Sequence, residues 1–208
     1  MTKSVSLNQK LCVISEKYVY PNKTIFSLER QKEPALKNKY TVRDNKNKEV
    51  FVCELQQRGQ NSIKDMNGNN VVRFDTSYAR HFDLTLYSSN SNTGSYIQIK
   101  HHISLGNSRY TFEIFNKATG KDEEFEVYRS SFCNIDIYLG KKKERGMLIC
   151  KTERTKVMPN CYKVVIEPNI DTIFALTIIF YFLKLFQRRA TTTSTAGAAA
   201  AIAAIALV

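Results

Sequence analysis

Three histidines, His81, His101 and His102, and five cysteines, Cys12, Cys53, Cys133, Cys150 and Cys161, are the side chains that would first suggest catalysis or metal binding. His101 and His102 are adjacent in the alternating stretch "SYIQIKHHISL". In a strand they project to opposite faces and cannot share a substrate or a metal without distortion. His81 opens "HFDLTLY" and has no better claim. The cysteines are dispersed, with no CxxC pair and no histidine at ligand spacing beside them. No serine or cysteine sits in a nucleophile elbow, and no dinucleotide or P-loop glycine pattern occurs. The expectation is a non-enzyme with no catalytic residue, no metal site and no cofactor. Odd, scattered thiols read as plain core residues in a reduced compartment. The opening "MTKSVSLNQKLCVISEKYVY" has no apolar stretch of signal-peptide length, which points to the cytoplasm.

Charge is the remaining chemistry. Lysine and arginine number 31 against 19 aspartates and glutamates, a net charge of +12 on 208 residues. Such an excess selects anionic partners: lipid headgroups, nucleic acid or acidic proteins. The cations are densest in "LGKKKERG", where Lys141, Lys142, Lys143 and Arg145 form the candidate headgroup site. Each cation near an anionic membrane contributes about 1 kcal/mol. Nucleic acid is the weaker alternative, since no RNP-type aromatic motif, zinc finger or helix-turn-helix pattern accompanies the charge.

The elements that must position this loop are strands. Alternation with period two recurs in "FDLTLY", "SYIQIKHHISL", "RYTFEIF", "EEFEVYR" and "CNIDIYL", placing Leu84, Leu86, Ile97, Ile99, Phe112, Ile114, Phe125, Val127, Ile135 and Ile137 on one face. Turn signals rich in Gly and Asn separate them: "RDNKNKE", "DMNGNN", "SSNSNTGS", "NKATGKDEE" and "LGKKKERGM". The pattern is an antiparallel meander of about twelve strands, with "KLCVIS" read as the first segment.

"EPNIDTIFALTIIFYFLKLFQRR" departs from alternation. Its unbroken apolar core, Ile173 to Leu183, is short of the roughly 20 residues a membrane span needs. Asn and Asp after Pro168 supply caps, and Lys184, Arg188 and Arg189 suit a helix C-terminus, so a helix of about five turns is expected over residues 170–186. Ile173, Phe174, Ile178 and Phe182 help to make it apolar on every side, and such a helix must be surrounded. A barrel of eleven or so strands is wide enough to hold a helix about 10 Å across. The expected fold is therefore mainly β, a twelve-stranded antiparallel barrel enclosing a C-terminal helix.

The strand-to-helix junction "YKVVIEPNIDTIFALTIIFYF", with "KYTVRDNKNKEVFVCEL", "IKDMNGNNVVRF" and "YIQIKHHISL" upstream in that order, resembles the LURP-one-related family of the Tubby C-terminal-like superfamily. The resemblance covers about residues 10–187. It implies a twelve-stranded barrel around a C-terminal helix, a fold shared with tubby proteins and phospholipid scramblases. It also implies a binding module: tubby-like domains bind phosphoinositides. Scramblase-like activity, with residues 170–186 inserted in lipid, is the alternative. The scramblase features are a cysteine cluster and an acidic loop before the helix. Here the cysteines are dispersed, and "MPNCYKVVIEPNID" offers only Glu167 and Asp171 as oxygen ligands for calcium.

The expected organisation is an N-terminal extension (1–9), one domain (10–187) and an Ala/Thr-rich low-complexity tail (188–208) too short and alanine-rich to span a bilayer. The expected state is a cytoplasmic monomer, peripheral at the membrane, contacting anionic phospholipid or phosphoinositide headgroups or a protein partner.

Overall fold

A computed structural model of the chain describes residues 10–31, 37–56, 59–77, 82–88, 94–104, 107–129, 134–156 and 161–185. Residues 1–9 and the tail after 185 lie outside it, as do His81, Cys133 and most of "SSNSNTGS".

Twelve antiparallel strands close into one barrel. They are β1 (Thr24–Gln31), β2 (Lys37–Arg43), β3 (Glu49–Gln56), β4 (Asn61–Asp65), β5 (Asn70–Ser77) and β6 (Phe82–Ser88), then β7 (Gly94–Ser104), β8 (Asn107–Asn116), β9 (Lys121–Arg129), β10 (Ile135–Leu139), β11 (Met147–Lys156) and β12 (Cys161–Ile166). Each pairs with its neighbour in sequence, and β1 pairs with β12 to close the ring. A meander suffices because strands consecutive in sequence pair directly, and among the described residues closure leaves no outer edge strand.

Turn chemistry supports the hairpins. Asp44 and Asp65 each accept two backbone hydrogen bonds at 2.9 Å, from Lys46 and Lys48 and from Asn67 and Asn69. These Asx turns hold residues at positive φ, Asn47 at 62° and Gly68 at 83°. The segment "KLCVIS" is not a strand. Leu11 makes one parallel bridge to Ile170, and the segment runs as a strap across the end of the barrel. Its backbone groups bond the helix start instead of a ladder.

Residues 172–185 form a helix (α1) of about four turns within the described residues; it starts two residues later than expected, and residue 186 lies outside them. Asp171 is its N-cap: Phe174 N–H donates to Oδ1 at 3.1 Å and Ala175 N–H to the Asp171 carbonyl at 3.0 Å. Asn169, at φ 62°, turns the chain from β12 towards the barrel axis. Every residue of α1 is buried, Ile173, Phe174, Ile178 and Phe182 completely. Phe174 meets Phe125 of β9 edge to face, Phe180 meets Tyr40 of β2, and Phe182 meets Tyr110 of β8, with centroids 5.4, 5.4 and 4.7 Å apart. A fully buried aromatic or aliphatic side chain stabilises by about 1.5–3 kcal/mol, so this helix is the core and not an attachment.

Lys184 is buried in α1 as well, its ammonium donating to Asn61 Oδ1 at 2.9 Å and Thr76 Oγ1 at 3.1 Å. Among the described residues no helix is long and apolar enough to cross a membrane.

Candidate functional site

The loop carrying Lys141, Lys142, Lys143 and Arg145 joins β10 to β11 at the end of the barrel where α1 begins, termed here the upper rim. Alternation along β9 and β10 turns Phe125, Val127, Ile135 and Ile137 inward. Glu124, Glu126, Tyr128, Asp136 and Tyr138 are thereby placed on the outer wall, with Asp136 opposite Tyr128 and Tyr138 opposite Glu126.

The loop leaves β10 through Gly140 at φ 75°, whose N–H donates to the Glu124 carbonyl at 2.7 Å. A 3₁₀ turn, Lys142–Glu144, follows, and Arg145 at φ 67° brings the chain back so that Gly146 N–H bonds Lys141 O at 2.7 Å. A Cβ on Gly146 would sit 2.6 Å from the Gly140 carbonyl oxygen, so only glycine closes the loop this tightly.

The loop does not project from the barrel: it folds down over the outer wall. The Lys142 N–H donates to Glu126 Oε2 at 2.6 Å, while Arg109 pairs with Oε1 at 2.9 Å. Glu126 is thus fully buried although it points outward. Such a charge is tolerable because both oxygens are satisfied. The Lys142 ammonium rests 4.8 Å from the Tyr128 ring centroid and 5.2 Å from that of Tyr138, two rings meeting nearly at right angles. Burial works against this ammonium, yet a hydrogen bond to Tyr138 and the nearby Tyr138, Asp136 and Tyr128 outweigh it, and its pKa is raised. Burial likewise raises the pKa of Asp136 despite Lys151 and Lys142 nearby.

The four cations therefore divide. Lys141 lies 3.7 Å from Glu124 and 3.5 Å from Glu144, and these carboxylates raise its pKa. Lys142 is laid on its two tyrosines. Lys143 and Arg145 are exposed and have no ion-pair partner among the described residues. Sequence spacing placed the four together but could not show that Glu124 and Tyr128, a strand away, would engage two of them.

Other groups share the rim. Lys46 and Lys48 of the β2–β3 turn and Lys121 at the start of β9 are exposed, again without an ion-pair partner among the described residues. Among the described residues the exposed large hydrophobics are Ile25, Met66, Tyr96 and Phe115, all within a few residues of this end, with Met66, Tyr96 and Phe115 half or more accessible. Alternation along β7 and β8 turns Tyr96 and Phe115 outward, beside the polar side chains of the wall. Their clustering at one end required the topology.

The remaining chemical side chains are accounted for structurally. His101 stacks on the inward Tyr110, rings 11° apart, while His102 contacts Thr111 Oγ1 at 2.9 Å through Nε2. They lie on opposite faces. Cys12, Cys53 and Cys150 are buried free thiols, and desolvation raises the pKa of each, the reverse of what a nucleophile needs. Among the described residues no three His, Cys, Asp or Glu side chains converge as a metal site. Asp171, considered as a calcium ligand, has both oxygens engaged by backbone N–H groups.

No curated protein matches the chain. The model of the LURP-one-related family matches residues 27–182, from within β1 to within α1. With a closed barrel of twelve strands around one helix, and that match across most of its length, the chain belongs to the LURP-one-related family.

Proposed function

We propose that the protein is a non-catalytic module that docks on anionic phospholipid surfaces through the upper rim of its barrel. The observation that supports this reading is the coincidence, on one end, of exposed cations and exposed apolar side chains: Lys46, Lys48, Lys121, Lys143 and Arg145 with Ile25, Met66, Tyr96 and Phe115. Cations attract phosphate headgroups, and apolar side chains beside them gain from the acyl boundary beneath. The arrangement leaves α1 inside the barrel, so docking requires no unfolding, and no observation favours insertion of residues 170–186 in lipid.

Sedimentation with vesicles tests it. Vesicles containing phosphatidylserine or a phosphoinositide should retain the protein at low salt and retain less as salt rises, since exposed charges act over about 8 Å at physiological ionic strength. Failure of anionic vesicles to retain it at low salt overturns the proposal.

A further inference from the structure

We propose that the outer wall between β7 and β8 holds a docking groove for an extended segment of a partner protein, one in which lysine or arginine alternates with apolar residues. The ladder between β7 and β8 runs from Ser104↔Asn107 up to Lys100↔Thr111. Continued upward, that register would set Gln98 opposite Glu113 and Tyr96 opposite Phe115, and neither pair forms. Among the described residues, 94–99 pair as a ladder with β6 alone and 112–116 with β9 alone. Two runs of extended backbone thus part above Lys100, and such edges present donors and acceptors that suit another extended chain.

A groove marks the place. Gln98, Lys100, Thr111, Phe112, Glu113 and Glu124 line about 180 Å³ of space. That falls below the roughly 300–1,000 Å³ of small-molecule sites. Buried Phe112 is its apolar part, and exposed Tyr96 and Phe115 stand further up the same two strands.

The charge of this wall indicates the partner. Glu113 and Glu124 are directly opposite on β8 and β9, and the next outward pair is Phe115 with the exposed Asp122. Like charges set opposite each other in a sheet repel. Lys141 offsets Glu124 in part, from 3.7 Å, whereas Glu113 is exposed with no ion-pair partner among the described residues. Lys100 brings a cation to the lower end of the lining. On a chain of net charge +12, the wall above it is a local acidic field. Cationic side chains of a bound segment relieve the repulsion between Glu113 and Glu124 and lie on the faces of Tyr96 and Phe115. Successive side chains of an extended segment point to opposite sides, so the residues between the cations turn inward to Phe112 and should be apolar.

Amide hydrogen exchange on the full chain tests it. Tyr96 and Phe115 also belong to the rim, so lipid is left out and failure here is distinct from failure of vesicle binding. The probe is a capped peptide of about seven residues, roughly 23 Å when extended, alternating lysine and valine, with a glutamate–valine counterpart as control. A net charge of +12 repels the first peptide and attracts the second, so preference for the lysine peptide must come from a local acidic site. The lysine peptide should slow exchange of alternate amides in 94–99 and 112–116 at least about tenfold, with 82–87 and 121–129 unchanged. Glu113→Lys, at an exposed position, should raise the dissociation constant of that peptide about fivefold or more, and Glu113→Gln should raise it less. No protection by the lysine peptide, equal protection by the glutamate peptide, or protection spread evenly over the barrel overturns the proposal. So do amides already protected in the free chain, which would mean that the chain fills its own groove, and protection that grows with protein concentration, which would mean that a second copy fills it.

Discussion

Oδ2 of Asp171 accepts a hydrogen bond from the backbone N–H of Ile14 at 2.6 Å, across 157 positions of sequence. The same oxygen accepts from Val13 and Ser15 at 3.1 Å, and Oδ1 caps Phe174. One carboxylate thus fastens the N-terminal strap to the start of the core helix. Asp171→Ala strands these donors, two of them in buried bonds, and should cost about 3 kcal/mol or more, at 1–3 kcal/mol for each buried group left unsatisfied. Asp171→Asn keeps an acceptor and should cost less. Urea unfolding midpoints check both, and a loss below about 1 kcal/mol for the alanine variant would refute the fastening role.

The pH dependence of that site has a definite sign. Burial raises the Asp171 pKa above its ordinary 3.8, and the hydrogen bonds from Phe174, Ile14, Ser15 and Val13 only partly oppose it. The folded chain therefore holds this proton to higher pH than the unfolded chain does. Its contribution to stability is fully present below about pH 3.8 and is lost as pH rises through the folded value. The stability difference between wild type and Asp171→Asn, which cancels other titrating groups, should decline over that window. A flat or rising difference would contradict it.

Phe174 tests the central helix. It is completely buried and meets Phe125 at 5.4 Å, so Phe174→Ala should cost about 3–5 kcal/mol. For a domain holding about 5–15 kcal/mol in total, that removes much of the margin. The conservative Phe174→Leu should lose less. A thermal or chemical melt showing under about 1 kcal/mol for the alanine variant would mean that α1 does not need to be packed inside the barrel.

The barrel was legible because period-two alternation is local: Leu84, Leu86, Ile97 and Ile99 announce their face from neighbours two residues away. α1 was legible for the opposite reason, being apolar on all sides and too short to span lipid. What escaped were relations between distant residues. Nothing in "KLCVIS" says that its N–H groups belong to Asp171. Lys184 read as the residue that breaks an apolar run, whereas Asn61 and Thr76 let the run continue into the core with its charge satisfied. In "LGKKKERG" the spacing showed where positive charge concentrates, but Glu124, Glu126, Tyr128 and Tyr138 determine which of it is engaged by a partner, and those partners come from two strands.

That division yields a sharper test of the rim than removing all four cations. Lys143 and Arg145 are exposed with no ion-pair partner among the described residues, so Lys143→Ser with Arg145→Asn should weaken binding to anionic vesicles by about 2 kcal/mol, roughly thirtyfold, at about 1 kcal/mol for each cation. Asparagine suits position 145 because φ there is 67°, a conformation it adopts more readily than serine. Stability should change by no more than about 0.5 kcal/mol for each substitution, as is usual at exposed sites. Lys141→Ser with Lys142→Ser should behave differently. Lys141 is already matched by Glu124 and Glu144, and Lys142 is spent on Tyr128 and Tyr138, so vesicle affinity should fall much less. Folding should instead weaken by about 0.5–1 kcal/mol as the cation–π contact holding the loop to the wall is lost. Paired vesicle-binding and denaturation curves for the two double variants separate the roles, and a larger loss of affinity in the Lys141/Lys142 pair would reverse the assignment.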